Sequence, residues 1–467
     1  MPRESASPSP EGKLDRRTFL AAIGAAAAVP TAGRWGPAAR RDRPVPSPSQ
    51  LLWQRDELAL FLHFGVNTFS GREWGDGTEA PASFAPTALD ARQWARTARA
   101  AGFRAMILTA KHHDGFCLWP TATTGHSVRS SGFRGGEGDV VREFIDACRA
   151  EGLRAGLYLS PWDRNAPVYG DSPRYDEFYC DQLTELLTRY GDIHEVWFDG
   201  ANGEGPSGRR QVYDWPRYWG LVRRLQPQAV IFSDAGPDLR WIGNERGAAG
   251  ETNWSTVDPS VVTRPGMSGD AVMRQLQEGD ADGTVWRPGE TDVSIRPGWF
   301  WRASEDGKVR DADDLLGLYF SSVGRNSKLL LNVPPDTTGR LAEADVAALL
   351  GMRRRIEATF ATPAAALGLD WRAQGARAGE ATLSLADGGT RIAVIDLREE
   401  ISTGQRVTRH VVEGETASGW QPLATGTTIG YRRLHRIPPT AVRALRVRVE
   451  TLDDPLPIAL RAYGAEG

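Results

Sequence analysis

The sequence predicts a (β/α)8 barrel followed by a C-terminal all-β sandwich, and three observations predict it. Apolar runs alternate with segments of helical spacing between residues 58 and 359, which is typical of parallel β/α units. The joints AAGFRAMIL (100–108) and AEGLRAGLY (150–158) repeat, and each contains a glycine suited to ending a helix. After Phe360 the pattern changes to short alternating runs separated by turn residues, which indicates antiparallel strands.

The elements follow one another along the chain. Barrel strands are predicted at 58–66, 104–110, 154–160, 195–198, 229–233, 298–302 and 328–333. Helices are predicted at 89–101, 139–152, 174–190, 215–225, 313–322 and 341–359. About eight β/α units fit a barrel domain over 50–359. No glycine-rich phosphate fingerprint follows the first strand, which disfavours a nucleotide-binding doubly wound sheet. Strands at 381–385, 391–395 and 444–449 indicate the sandwich domain, 360–467.

The composition excludes several classes of protein. Of the 467 residues, 40% are hydrophobic and 25% are charged, as in soluble globular proteins. The net charge of −3 and the absence of a basic block argue against a nucleic-acid partner. Three cysteines without a CxxC pair predict neither a disulfide framework nor a thiolate zinc site.

The N-terminus predicts export. The motif DRRTFL (15–20) precedes an alanine-rich run, 21–29, and then PTA at 30–32. Paired arginines before a short apolar run indicate a twin-arginine signal peptide over 1–32, with a Pro/Ser-rich linker over 33–49. The alternative is a disordered basic tail. The apolar run is too short for a stable membrane anchor, and no membrane span is predicted in the mature chain. We therefore expect a periplasmic or extracellular protein.

Polar and aromatic residues follow the predicted barrel strands, where barrel enzymes place their catalytic groups. In EVWFDGANG (195–203), Asp199 follows the fourth strand. Taken alone, such an aspartate favours a simple Asx-turn, but its place in the barrel puts it on the catalytic rim. Aromatic walls with polar donors and acceptors suit a sugar. The neighbouring His112 and His113 also suit a metal, but no third ligand stands at a recognisable spacing. We predict no metal and no cofactor.

Eight motifs, in order over residues 50–360, carry a resemblance. They are LHFGVNTF (62–69), EWGDG (73–77), KHHDGFCLW (111–119), GLYLSPWD (156–163), EVWFDGANG (195–203), GPDLRWIGNERGAAGETNW (236–254), DVSIRPGWFW (292–301) and SVGRNSKLLLNVPP (322–335). The set resembles the motifs of family 29 α-L-fucosidases. The GNE and DVSIRPGWF forms resemble the branch that cleaves α-1,3/1,4-linked fucose.

The resemblance implies a retaining hydrolase of fucosylated glycans that needs no cofactor. Asp199 would be the nucleophile and Glu245 the acid/base, with Glu251 and Glu290 as alternatives for the second role. The fucose contacts implied by the family pattern are His63, Glu73, Trp74, His112, His113 and Tyr158. Trp197 and Trp299 fit either the sugar site or the core.

Two other functions fit parts of the same pattern. One is a barrel glycosidase for another sugar. The other is a catalytically silent glycan-binding protein, which would lack one carboxylate, whereas Asp199 and Glu245 are both present.

Overall fold

The structure, a computed structural model, describes residues 43–364, 366–385 and 390–464. The predicted signal peptide over 1–32 lies outside these residues. Helix α1, Pro48–Arg55, begins inside the segment predicted as linker. A reciprocal cap fixes its start: Ser47 Oγ accepts from Gln50 N, and Gln50 Oε1 accepts from Ser47 N. None of the described helices is long and apolar enough to cross a membrane.

Eight parallel strands form the barrel. In chain order they are β1 Leu58–Leu62, β2 Ala105–Lys111, β3 Arg154–Leu159, β4 Glu195–Trp197, β5 Val230–Phe232, β6 Arg240–Trp241, β7 Gly289–Ser294 and β8 Ser327–Asn332. Their order in the sheet is β5-β4-β3-β2-β1-β8-β7-β6. A parallel bridge between Phe232 and Leu239 joins the two end strands. The carboxyl ends of all eight strands therefore meet on one rim.

Helices cover the outside of the barrel. They are α2 Val66–Ser70, α3 Ala91–Ala100, α4 Val140–Ala150, α5 Ser172–Arg189, α6 Trp215–Leu225, α7 Asp270–Glu278, α8 Ala312–Ser321 and α9 Glu343–Phe360. Asp90, Asp139 and Asp214 each cap a helix by accepting from a backbone N–H three residues on. Gly102 and Gly152 follow α3 and α4 with φ of 89° and 68°, so both glycines serve as the predicted helix ends.

The seventh strand corrects the sequence prediction. The segment predicted at 298–302 is a loop, and the strand is Gly289–Ser294. This strand carries two acidic residues, Glu290 and Asp292, both buried. Each of these carboxylates accepts a hydrogen bond from an indole N–H of another strand. The strand therefore carries buried acidic residues and lacks the apolar pattern of its neighbours. Helix α7 was also absent from the prediction.

Two antiparallel sheets make up the C-terminal sandwich, which confirms the predicted fold class. Their strands are β9 Ala366–Ala373, β10 Ala378–Leu385, β11 Thr390–Arg398, β12 Val407–Thr416, β13 Gly419–Gly426, β14 Arg433–Val442, β15 Ala444–Thr451 and β16 Ala459–Tyr463. The orders are β9-β10-β15-β12-β13 and β14-β11-β16. Alternate residues such as Ala381, Leu383 and Val447 form the core between the sheets.

The sandwich is tied to the barrel through Glu57, the residue just before β1. Glu57 has a positive φ of 59°. Its carboxylate accepts from Arg432 Nη1 at 3.1 Å and from the Tyr431 hydroxyl at 3.2 Å, both from the sandwich. From the barrel, the Tyr319 hydroxyl donates to it at 2.5 Å. The joint between the two parts therefore includes a shared polar cluster.

Candidate active site

A cavity of about 600 Å³ opens on the rim where the barrel strands end. It is lined by every residue predicted for the site: His63, Glu73, Trp74, His112, His113, Tyr158, Trp197, Asp199, Glu245 and Trp299. Its other lining residues are Phe61, Ala201, Asp292, Pro297, Gly298, Arg302 and Glu305. The structure thus brings together side chains from six barrel strands and the loops that follow them.

Asp199 stands just past the end of β4, with a quarter of its side chain exposed. Its Oδ1 accepts from Ala201 N at 2.7 Å, so it does form an Asx-turn. Its Oδ2 accepts from the Tyr158 hydroxyl at 3.1 Å and lies 3.7 Å from His113 Nε2. The turn and the position on the rim therefore coexist: one oxygen holds the loop and the other faces the cavity.

The next residue, Gly200, is required by close packing. A Cβ at this position would lie 2.8 Å from Asp234 Oδ2 and 2.8 Å from Gly266 N. Because real Cβ atoms do not approach other atoms so closely, no larger side chain fits without a shift of the two loops. The chain can therefore turn away directly behind Asp199.

Glu245 reaches the cavity from the loop after β6 and is more exposed than Asp199. Partial burial raises the pKa of Glu245, and the charges of Asp199 and Glu73 raise it further, against an opposing contact with Trp299. Glu245 therefore keeps its proton to a higher pH than an ordinary glutamate does.

The two alternative carboxylates lie elsewhere. Glu251 pairs with Arg325 and Arg433 at the border of the sandwich. Glu290 is fully buried inside the barrel, where Trp197 Nε1 donates to its Oε1 at 2.9 Å. Of the three predicted acid/base candidates, only Glu245 lines the cavity.

Three buried histidines form one wall. Burial lowers the pKa of His63 to about 3. Burial, together with the neighbouring His113 and His63, holds the pKa of His112 well below its ordinary value. The pKa of His113 is also lowered by burial, although Asp199 opposes the shift. All three rings are therefore neutral near pH 7 and meet a ligand as uncharged hydrogen-bonding groups.

Glu73 joins two loops at the mouth. Its Oε1 accepts from Trp299 N at 2.6 Å, and its Oε2 pairs with Arg302. Arg302 also bonds Glu305 Oε1 at 3.1 Å. The carboxylate is thereby held against the cavity wall.

Aromatic rings supply the apolar surfaces of the cavity. Trp74 is 58% exposed and meets Trp162 edge-on, with ring centroids 6.0 Å apart. Trp197 forms part of the floor, where it stacks on Phe232 with ring centroids 4.1 Å apart. Trp197 is thus both a core residue and a lining residue.

Asp292 is a lining residue that sequence reasoning missed. It stands in β7, 5% exposed, and its Oδ1 accepts from Trp241 Nε1 at 2.8 Å. Burial raises the pKa of Asp292 to about 8, with the charge of Glu245 as the next contribution. It opens the motif DVSIRPGWFW, but the wrong placement of the seventh strand hid its position at a strand end.

The neighbouring histidines, His112 and His113, are residue types that also bind metal ions. Within the described residues, no three His, Cys, Asp or Glu side chains are arranged to hold a metal ion. His113 Nδ1 lies 2.7 Å from Ser160 Oγ, a partner that fixes the ring by a hydrogen bond.

Comparison with known proteins gives consistent matches. The profile of the family described as Alpha-L-fucosidase matches residues 47–358. The chain is 45% identical to Alpha-L-fucosidase 1 of Arabidopsis thaliana over 421 residues, which cover 84% of this chain and 82% of the relative.

Two solved structures extend the comparison. One is a glycoside hydrolase 29 family member from an unknown rumen bacterium, with a TM-score of 0.82 at 40% identity, covering 91% of this chain and 78% of that one. The other is a Ruminococcus gnavus GH29 fucosidase in complex with fucose, with a TM-score of 0.81 at 32% identity, covering 92% and 96%. The cavity, the barrel and these matches agree, and the chain belongs to glycoside hydrolase family 29, the α-L-fucosidases.

Proposed function

We propose that this α-L-fucosidase is an exported, retaining enzyme that removes terminal fucose from α-1,3/1,4 linkages, with Asp199 as nucleophile and Glu245 as acid/base. The observation that carries the proposal is that both carboxylates border one cavity lined by neutral imidazoles and aromatic faces. A relative with 32% identity has been solved in complex with fucose, which supports fucose as the sugar held here.

The two carboxyls differ in the way that a retaining mechanism requires. Asp199 keeps one oxygen toward the cavity and receives the Tyr158 hydroxyl on it, which suits attack on the anomeric carbon. Glu245 has a raised pKa, which suits protonation of the leaving oxygen and later activation of water. In retaining enzymes one carboxylate forms a covalent glycosyl-enzyme as the other protonates the leaving oxygen, and the second carboxylate then deprotonates the water that releases the sugar.

The remaining lining groups fit the recognition of a small deoxy sugar. Neutral His63, His112 and His113 bond hydroxyl groups without favouring an anion. Trp74 or Trp299 would cover the apolar methyl face. Glu73, held by Arg302 and by Trp299 N, is an acceptor whose position is set before a sugar arrives.

Stereochemistry and linkage are tested together. The purified enzyme is given a Lewis-type trisaccharide, 2′-fucosyllactose and a panel of aryl glycosides, and the first-formed anomer is read by proton NMR. We expect release of fucose as the α-anomer, faster from the trisaccharide. Release of the β-anomer would contradict retention, and preference for 2′-fucosyllactose would contradict the linkage. Release of another sugar in place of fucose would contradict the sugar assignment.

Export rests on the motif DRRTFL at 15–20. Replacing Arg16 and Arg17 together by lysine should leave the enzyme in the cytoplasm of a bacterial host with a twin-arginine pathway, while the unchanged chain is exported. Equal amounts of exported enzyme from both chains would refute the proposal. Activity in the cell lysate serves as the control that the variant folds.

A further inference from the structure

Asn332, the last residue of β8, lies behind the imidazole of His63. It is fully buried, paired in the sheet with Phe61 of β1 and with Ser294 of β7. Its Oδ1 is 2.9 Å from His63 Nδ1 and 3.3 Å from His63 N. Its Nδ2 donates to Ser294 Oγ and to Trp299 O, both at 2.9 Å. Both the oxygen and the nitrogen of the side-chain amide therefore make hydrogen bonds.

The surroundings allow only one orientation of this amide. The Trp299 carbonyl can only accept and the His63 backbone N–H can only donate. Ser294 Oγ gives its own hydrogen to Gly298 O at 2.7 Å, so it accepts from Asn332. Turning the amide by half a revolution would place oxygen against oxygen and N–H against N–H. Three independent contacts thus direct Oδ1 toward His63.

This orientation determines which nitrogen of His63 carries the proton. An amide oxygen has no hydrogen to give, so Nδ1 of the imidazole must be the donor. A neutral imidazole has a single N–H, and burial keeps His63 neutral with a pKa of about 3. Nε2 is then a bare acceptor. Within the described residues it has no hydrogen-bond partner, and the ring lines the cavity.

We propose that Asn332 is a positioning residue that fixes His63 as a hydrogen-bond acceptor, so that a hydroxyl of the sugar donates to Nε2. The inference rests on the proposed role of His63 as a sugar contact. Through its bond to Trp299 O, the same amide also holds the loop that carries Trp299. The ring centroid of Trp299 lies 5.0 Å from that of His63. The buried Asn332 side chain thereby determines that His63 presents an acceptor to the cavity, and it sets the distance between the rings of His63 and Trp299.

The first test measures the tautomer without substrate. Enzyme labelled with ¹⁵N in histidine is studied by two-bond ¹H–¹⁵N correlation, with the His63 signals identified by their loss in His63→Gln. We expect Nδ1 to be protonated and Nε2 to be bare across the neutral pH range. A wild-type spectrum with the proton on Nε2 would overturn the proposal. Because this readout needs no turnover, its failure is distinct from failure of the proposed function.

The second test uses two substitutions of different character. In Asn332→Ala the acceptor is lost, and we expect KM to rise about tenfold, as for one hydrogen bond, with a mixed tautomer in the spectrum. In Asn332→Asp a carboxylate faces Nδ1–H, which stabilises the imidazolium and raises the pKa of His63. Since the imidazolium cannot accept, the acid limb of kcat/KM should move to higher pH.

The control is Asn253→Ala, which removes another buried asparagine with hydrogen bonds to Arg240 and to Arg325 O, away from the cavity lining. It should lower stability and leave the shape of the pH profile unchanged. An unchanged profile in Asn332→Asp, with activity lowered equally at all pH values, would show a merely structural role and overturn the proposal. If neither Asn332 variant folds, the wild-type spectrum still decides.

Discussion

The carboxylates on the rim of the barrel and those inside it are held in opposite ways. Asp199 and Glu245 border an open cavity, and no cation pairs with either of them among the described residues. Glu195 and Glu290 are fully buried with Lys328, whose Nζ lies 3.5 Å from Glu195 Oε2. Trp53 and Trp197 donate to the two buried carboxylates at 2.9 Å. The rim carboxylates face an open cavity, whereas the interior carboxylates are enclosed with a lysine and two indole rings.

One barrel thus separates chemistry from stability. Removing a rim carboxylate should remove activity and leave the fold in place, because few partners depend on it. Removing Lys328 from the interior cluster leaves an uncompensated buried charge, which is strongly destabilising.

The largest effect is expected for Asp199→Ala. Without the nucleophile, no glycosyl-enzyme forms and turnover should be abolished, while the unfolding midpoint changes little. Turnover and denaturant unfolding are measured on the same preparation. Retained turnover on a Lewis-type trisaccharide would refute the nucleophile assignment.

Glu245→Gln should lower kcat by about 10²- to 10⁴-fold, the usual range for a general acid/base. Formation of the glycosyl-enzyme should be impaired least with aryl fucosides, whose leaving groups need little protonation. The matched control is Glu251→Gln, which alters an ion pair outside the cavity lining. A larger loss of kcat in the control than in Glu245→Gln would transfer the acid/base role to Glu251.

The interior cluster is tested by Lys328→Met. Breaking a buried ion pair by removing one partner destabilises by about 3–5 kcal/mol, and the methionine keeps most of the volume beside Trp53. Urea denaturation gives the loss, and activity per folded molecule reports on the rim. The contrast fails if this variant is as stable as the wild type.

The pH dependence of stability tests Asp292, whose pKa is raised from 3.8 to about 8 in the folded chain. Unfolding lowers this pKa, so the group stabilises the fold below about pH 4 and its contribution is lost as the pH rises toward 8. Asp292→Asn removes the titration, so its stability should fall less between pH 5 and pH 8. Melting temperatures at both values give the comparison, with the exposed Asp146→Asn as control. Equal pH dependence in wild type and Asp292→Asn would contradict the shift.

The fold and most of the cavity were predictable because they depend on local patterns. The run Val196-Trp197-Phe198 predicts a strand by itself, and its place in the alternation puts Asp199 on the rim. The predicted position of the seventh strand was wrong because its acidic residues bond to partners that are distant in sequence. Glu290 meets Trp197 and Asp292 meets Trp241 only in the closed barrel. The contact of Asn332 with His63 likewise joins residues 269 positions apart, which no local pattern reveals.

The cluster around Glu57 bears on how this enzyme could be re-engineered. The barrel places a carboxylate with three partners from the sandwich, Arg398, Tyr431 and Arg432, directly before its first strand. A shortened chain that ends with α9 would leave this carboxylate without those partners. The sandwich therefore cannot be removed without the loss of these contacts. Grafting the barrel onto another C-terminal module would require a new set of cations at Glu57, or its replacement by a glycine that tolerates the same backbone angle.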